Sequence, residues 1–125
     1  MAIHELTLDK IEHFTLLATT TITGTGDQTG VDLAGYEGDV QIILSGTAAG
    51  AAADLTFRIE ESADDVTYTA VTGGTFTDIG NAAYKEVLTL NSNDLKRYIR
   101  LSCTAETGTA SSAVTCFGFG LKKYG

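Results

Sequence analysis

Two short stretches do most to limit what this chain can fold into. Residues 40–45 alternate, with Val40, Ile42 and Leu44 on one side and Gln41, Ile43 and Ser45 on the other. Residues 55–60 repeat the pattern, with Leu55, Phe57 and Ile59 against Thr56, Arg58 and Glu60. A period of two over six residues puts one row of side chains in a core and the other in water, the mark of a half-buried strand. Further runs read as strands at 18–25, 66–71 (Val66, Tyr68, Ala70), 75–79 (Phe76), 85–90 (Val87, Leu88, Leu90), 97–104 (Ile99, Leu101, Cys103) and 113–121 (Ala113, Thr115, Phe117, Phe119, Leu121). Twenty threonines, stiff at χ1 and suited to a pleated surface, push the same way.

Glycine, Asn and Asp punctuate these runs at Gly24 to Asp27, Gly35, Gly46 to Gly50, Asp64-Asp65, Gly73-Gly74, Gly80-Asn81 and Gly108. With no proline, these residues must make the turns. About eight strands at such spacing predict an all-β, single-domain antiparallel sandwich, jelly-roll or immunoglobulin-like. The sandwich is assigned to residues 18–125. Residues 1–17 read as an N-terminal arm or edge strand (Leu6, Leu8, Phe14 and Leu16 alternating) or as a short helix (Ile11, Phe14, Leu17). Residues 91–97 read as a single helical turn capped by Asn91 or Ser92. The alanine-rich segment 46–53 is too short, and too interrupted by Gly50, to nucleate a helix; it reads as a mobile loop tip or a close-packing contact.

The net charge of −8 disfavours nucleic acid and anionic membrane surfaces as partners. Residues 1–95 carry three basic and fifteen acidic side chains (−12); residues 96–125 carry five basic and one acidic (+4). The asymmetry either serves solubility or makes a domain with opposite electrostatic ends. The opening residues lack a basic leader followed by an apolar run, and no apolar stretch approaches the ~20 residues of a bilayer span, so synthesis in a cytoplasm is expected.

A search for chemistry finds no catalytic set, so the chain is not expected to be an enzyme or to hold a cofactor or metal. His4 and His13 are the only histidines, both near the N-terminus. Cys103 and Cys116 are spaced for neither a zinc pair nor a redox pair. If they lie on one hairpin turning near Thr109-Ala110, they face each other within disulfide reach; the alternative is two buried thiols kept reduced. Glu60-Glu61 with Asp64-Asp65, and Asn91, Asn93 and Asp94, lack the spacing of a calcium loop. Gly118 and Gly120 lie late in a strand with no helix after them, so they make no phosphate cradle. In Arg97-Tyr98-Ile99-Arg100-Leu101, Ile99 and Leu101 face the core, while Tyr98 and Arg100 face outward with Arg97 at the strand edge. Tyr and Arg are common anchors at interfaces, so Arg97, Tyr98 and Arg100 are the candidate partner-binding residues.

Three segments carry a resemblance: Val31-Asp32-Leu33-Ala34-Gly35-Tyr36-Glu37-Gly38-Asp39-Val40, then Ile59-Glu60-Glu61-Ser62-Ala63-Asp64-Asp65-Val66-Thr67-Tyr68-Thr69, then Leu95 to Leu101. Their succession, over roughly residues 30–121, resembles small structural proteins of tailed bacteriophages, in particular head decoration or cement proteins. The resemblance implies a non-catalytic virion protein on the outer capsid surface. Its partners would be the major capsid protein and copies of itself, often a homotrimer, assembled in a host cytoplasm. A tail or neck component, or a binding module such as a carbohydrate-binding domain, is the alternative.

Overall fold

The computed structural model describes residues 10–123. It contains nine strands: β1 (Ile11–Ile22), β2 (Gly26–Asp27), β3 (Val31–Asp32), β4 (Tyr36–Gly46), β5 (Asp54–Ser62), β6 (Thr69–Thr75), β7 (Tyr84–Asn91), β8 (Tyr98–Thr107) and β9 (Ser112–Lys122). One sheet runs β1-β9-β4-β7. The other runs β2-β8-β5-β6, with β3 pairing β8 as well, and every pairing is antiparallel.

Counted with β2 and β3 as one interrupted strand, eight strands remain, and every connection except β5 to β6 carries the chain to the other sheet. That order is a jelly roll. An immunoglobulin-like sandwich sets its last two strands side by side in one sheet; here β8 and β9 lie in opposite sheets. The expected hairpin around Thr109-Ala110 is therefore a crossing between layers. Cys103 pairs with Gly26 and Phe57, whereas Cys116 pairs with Leu17 and Leu44. The two cysteines do not face each other across a ladder, and both are buried and free.

The alternation in β4 and β5 builds the core as read: Val40, Ile42, Leu44, Leu55 and Ile59 are wholly buried, and Phe57 nearly so. In β9 the same kind of alternation marks the opposite face. Ala113, Thr115, Phe117, Phe119 and Leu121 look outward, while Ser112, Val114, Cys116, Gly118 and Gly120 are buried. The cause lies in the neighbouring strands. A Cβ on Gly118 would stand 2.6 Å from Cε1 of Phe14, and one on Gly120 would stand 2.7 Å from Cδ1 of Tyr36. The two rings fill the space over the glycines and meet edge to face at 5.3 Å. Core volume at the end of β9 thus comes from β1 and β4.

Three other expectations shift. The strands expected at 66–71 and 75–79 reduce to one, β6 at Thr69–Thr75, and residues 63–67 bend because the Asp64 carboxylate accepts the backbone N–H groups of Val66 and Thr67. Val66 is left 77% exposed, and Val71 takes the inward position in β6. The alanine-rich loop is packed, not a free tip. Ala49 and Ala53 are buried, the Ala49 N–H donates to Gly80 O, and the Ser111 N–H donates to Ala49 O. Of the segment 1–17, residues 1–9 lie outside the described residues. From Ile11 onward the chain is the edge strand β1, continuous through residue 17, with a bulge between Thr15 and Leu17 that turns both Leu16 and Leu17 inward. Residues 92–94 form the expected turn, a 3₁₀ helix whose cap, Asn91, accepts from Asn93 N–H.

Candidate interaction surfaces

The outer faces of the two sheets differ in chemistry. On the β2-β8-β5-β6 sheet the outward residues are charged and tied to one another. Glu60 is buried at 4% exposure because two arginines cover it. Arg58 Nη2 lies 2.6 Å from Glu60 Oε2, and Arg100 Nη2 lies 2.8 Å from Glu60 Oε1. Arg100 also reaches Asp27 Oδ2 at 3.2 Å and stacks its guanidinium over the Tyr68 ring, 4.0 Å from the centroid. The Ser102 hydroxyl donates to Asp27, and the Tyr68 hydroxyl donates to Asp65. Burial, with that bond to the Asp65 carboxylate, pushes the Tyr68 hydroxyl up to about 12.

This network places the three candidate residues. Tyr98 and Arg100 do face outward, but Arg100 is held on three sides within its own chain. Arg97 stays exposed at the start of β8. It forks onto Asp32, with Nε to Oδ1 at 3.1 Å and Nη2 to Oδ2 at 2.8 Å, and stacks on the Tyr98 ring at 5.1 Å. The hydrogen bonds from Arg97 and from Ala34 N–H hold the Asp32 carboxyl below the ordinary aspartate range. The structure thus brings Arg97 and Tyr98 together and withdraws Arg100 into the fold. Asp27, Asp32, Glu60 and Tyr68, which complete these contacts, carry no local sequence signal, since they come from other strands and loops.

The idea of opposite electrostatic ends is overturned. Arg97 meets Asp32, Arg100 meets Glu60 and Asp27, and Lys122 lies 3.7 Å from Glu12. β8 and β9 are interior strands of their sheets, so strands from the acidic part of the chain flank both, and charges separated in sequence are interleaved in space.

The middle of the outer face of the β1-β9-β4-β7 sheet is uncharged, with Glu37 and Asp39 at one end of it and Lys85 at the other. Register aligns Thr15, Phe117, Ile43 and Val87 in one row across all four strands, and His13, Phe119, Gln41 and Thr89 in the next. Phe117 and Phe119 pack edge to face at 5.6 Å. Beside Phe119 a shallow groove of about 210 Å³ is lined by Ile11, Asp39, Gln41, Gly120 and Leu121. The alternating Phe117-Gly118-Phe119-Gly120 was the sequence signal for this face: glycines at every second position leave the aromatic rings on the other side.

Among the described residues no group of three or more His, Cys, Asp or Glu side chains is placed to hold a metal ion. Burial pushes the Cys116 thiol up to about 12 and raises that of Cys103.

Neither protein-family models nor curated proteins match the chain. Solved structures do. The chain is similar to the SPBc2 prophage-derived protein YomS, with a TM-score of 0.55 and 11% identity over 90% of this chain and 93% of that one. It is similar to a chain of infectious bursal disease virus, Gx strain, with a TM-score of 0.55 and 14% identity over 90% of this chain and 32% of that one. It is also similar to the PBSX exported protein XepA, with a TM-score of 0.52 and 18% identity over 91% and 38%. The chain spans about a third of the length of the latter two. At these identities the likeness is one of fold.

Proposed function

We propose that this chain is a structural component of a tailed-bacteriophage particle, and within it a head decoration protein that sits on the outer capsid surface and ties neighbouring shell subunits together. The observation that carries the reading is that the described chain forms one jelly roll. The similarity in fold to a prophage-derived protein along almost its full length, and to a chain of an icosahedral virus, supports the particle role. In this reading the protein is not an enzyme, and Arg97 and Tyr98 are the side chains offered to the major capsid protein. Arg100 serves the fold.

The test is mass spectrometry of purified heads and purified tails, with heating of particles that lack the protein. Recovery with heads, and heads that open at lower temperature without it, is the expected result. Recovery with tails keeps a particle role and overturns decoration. Absence from both overturns the reading.

A further inference from the structure

Among the described residues four large hydrophobic side chains are exposed, and three of them lie on one surface: Ile11 at 42%, Val87 at 47% and Phe119 at 38%. Register puts all three on the outer face of the β1-β9-β4-β7 sheet, alongside Phe117 and Ile43. Across the two rows His13-Phe119-Gln41-Thr89 and Thr15-Phe117-Ile43-Val87 no side chain carries a formal charge, with His neutral. Charges enter only in the flanking rows, Lys85 beside Thr115 and Ser45 on one side, and Glu37 and Asp39 beside Ile11 and Leu121 on the other. The chain as a whole stands at −8, and the other sheet presents Asp27, Arg58, Glu60 and Arg100.

From this we infer that the outer face of the β1-β9-β4-β7 sheet is the surface through which two copies of this chain pair face to face about a two-fold axis. A two-fold contact sets one patch against itself, so any charge in the patch meets its own kind. The uncharged centre of this face is self-complementary, and on a chain this acidic it can meet its copy there without repulsion. The outward face of the second sheet would bring the exposed Asp27 and Arg58 of one copy toward those of the other. The size is sufficient. Four strands about 4.8 Å apart and some 3.3 Å per residue along the eleven of β9 give a face of roughly 700 Å² before side-chain relief, near the ~800 Å² per partner of a stable interface. The Phe117–Phe119 pair supplies rigid aromatic anchors, and the groove beside Phe119 supplies a recess for a ring of the mate. The pairing does not depend on the particle reading.

The experiment is sedimentation velocity and light scattering of the full chain across a dilution series, for wild type, Phe119→Asp, Val87→Lys and, as a control, the exposed Lys96→Ala. Wild type is expected at twice the 13.1 kDa chain mass. The association should be insensitive to salt, since no charge pair carries it. Phe119→Asp and Val87→Lys, on separate strands and both outward, each should weaken pairing about thirtyfold or more. Lys96→Ala should leave it unchanged, and circular dichroism of all four should coincide. A wild-type monomer, a trimer, or a dimer that survives both face variants overturns the inference. A monomer that binds purified heads, with binding lost in Phe119→Asp, overturns it too and assigns the face to the shell subunit.

Discussion

At Gly118 a single missing carbon decides how the end of β9 packs. An added Cβ falls on the Phe14 ring and stands 3.0 Å from the Gln41 carbonyl, so both a side chain and a backbone must give way. Gly118→Ala is therefore expected to lose about 1–3 kcal/mol in urea denaturation, the usual range for overpacking a core. Phe14→Leu in the same chain should return part of that loss, whereas Phe14→Leu alone should destabilise by leaving space. A second residue-scale prediction concerns Asp32. Its carboxyl is held low by Arg97 and by the Ala34 N–H, so the folded value lies below the unfolded one of about 3.9. The pair then contributes stability above about pH 4, and the contribution is lost as pH falls through the lower folded value. Both side chains are substantially exposed, so solvent screening keeps that contribution small. Carboxyl titration by nuclear magnetic resonance should place Asp32 higher in Arg97→Ala than in wild type. Unchanged titration would remove the ion pair from the account.

At the scale of elements, β1 and the arginine network do different work. β1 is an edge strand, yet it places Phe14, Leu16, Leu17 and Ile22 in the core and covers β9 along its length. Removing residues 1–17 takes away three of those side chains and most of the strand. At about 2–5 kcal/mol for each large apolar side chain lost, the loss approaches the whole stability of a small domain, about 5–15 kcal/mol. The truncated chain, residues 18–125, is expected to be unfolded or insoluble by circular dichroism and centrifugation. A soluble, cooperatively unfolding product would mean that β1 is dispensable. Glu60 joins β5 to β8 through Arg100, and Arg100 joins β8 to β2 through Asp27. Arg100→Ala leaves a buried carboxylate with Arg58 as its remaining ion-pair partner, and a loss of about 1.5–3 kcal/mol is expected in denaturant titration. Arg100→Lys keeps the charge but cannot make the same fork or stack on Tyr68, and should recover part of the loss.

For the whole molecule, the jelly-roll path sets both connectivity and redox behaviour. Among the described residues the first strand, β1, pairs with the last, β9, so that sheet cannot close until the chain from Ile11 to Leu121 is gathered. Folding is expected in ~milliseconds to seconds, the range of domains dominated by non-local pairings. Cys103 and Cys116, on opposite sheets and both buried, should resist thiol reagents in the native protein and titrate as two free thiols in denaturant. A native disulfide found by mass spectrometry without added oxidant would overturn the assignment of both as free thiols.

What the amino-acid sequence determined by itself was local: the all-β class, the inward rows of β4, β5 and β8, and the capped turn at Asn91. Each follows from side-chain period or from a hydrogen bond between residues a few positions apart. What only the tertiary structure decided was whatever depends on a neighbour distant in sequence. The inward face of β9 belongs to its glycines because Phe14 and Tyr36 arrive from other strands. Arg100 is withdrawn because Glu60, Asp27 and Tyr68 converge on it, and the basic C-terminal residues lose their separate pole because β8 and β9 lie inside their sheets. The cysteines part because β8 and β9 belong to different layers. A period of two says that a strand has two faces. Which face is buried, and which charges meet, is decided by what packs against it.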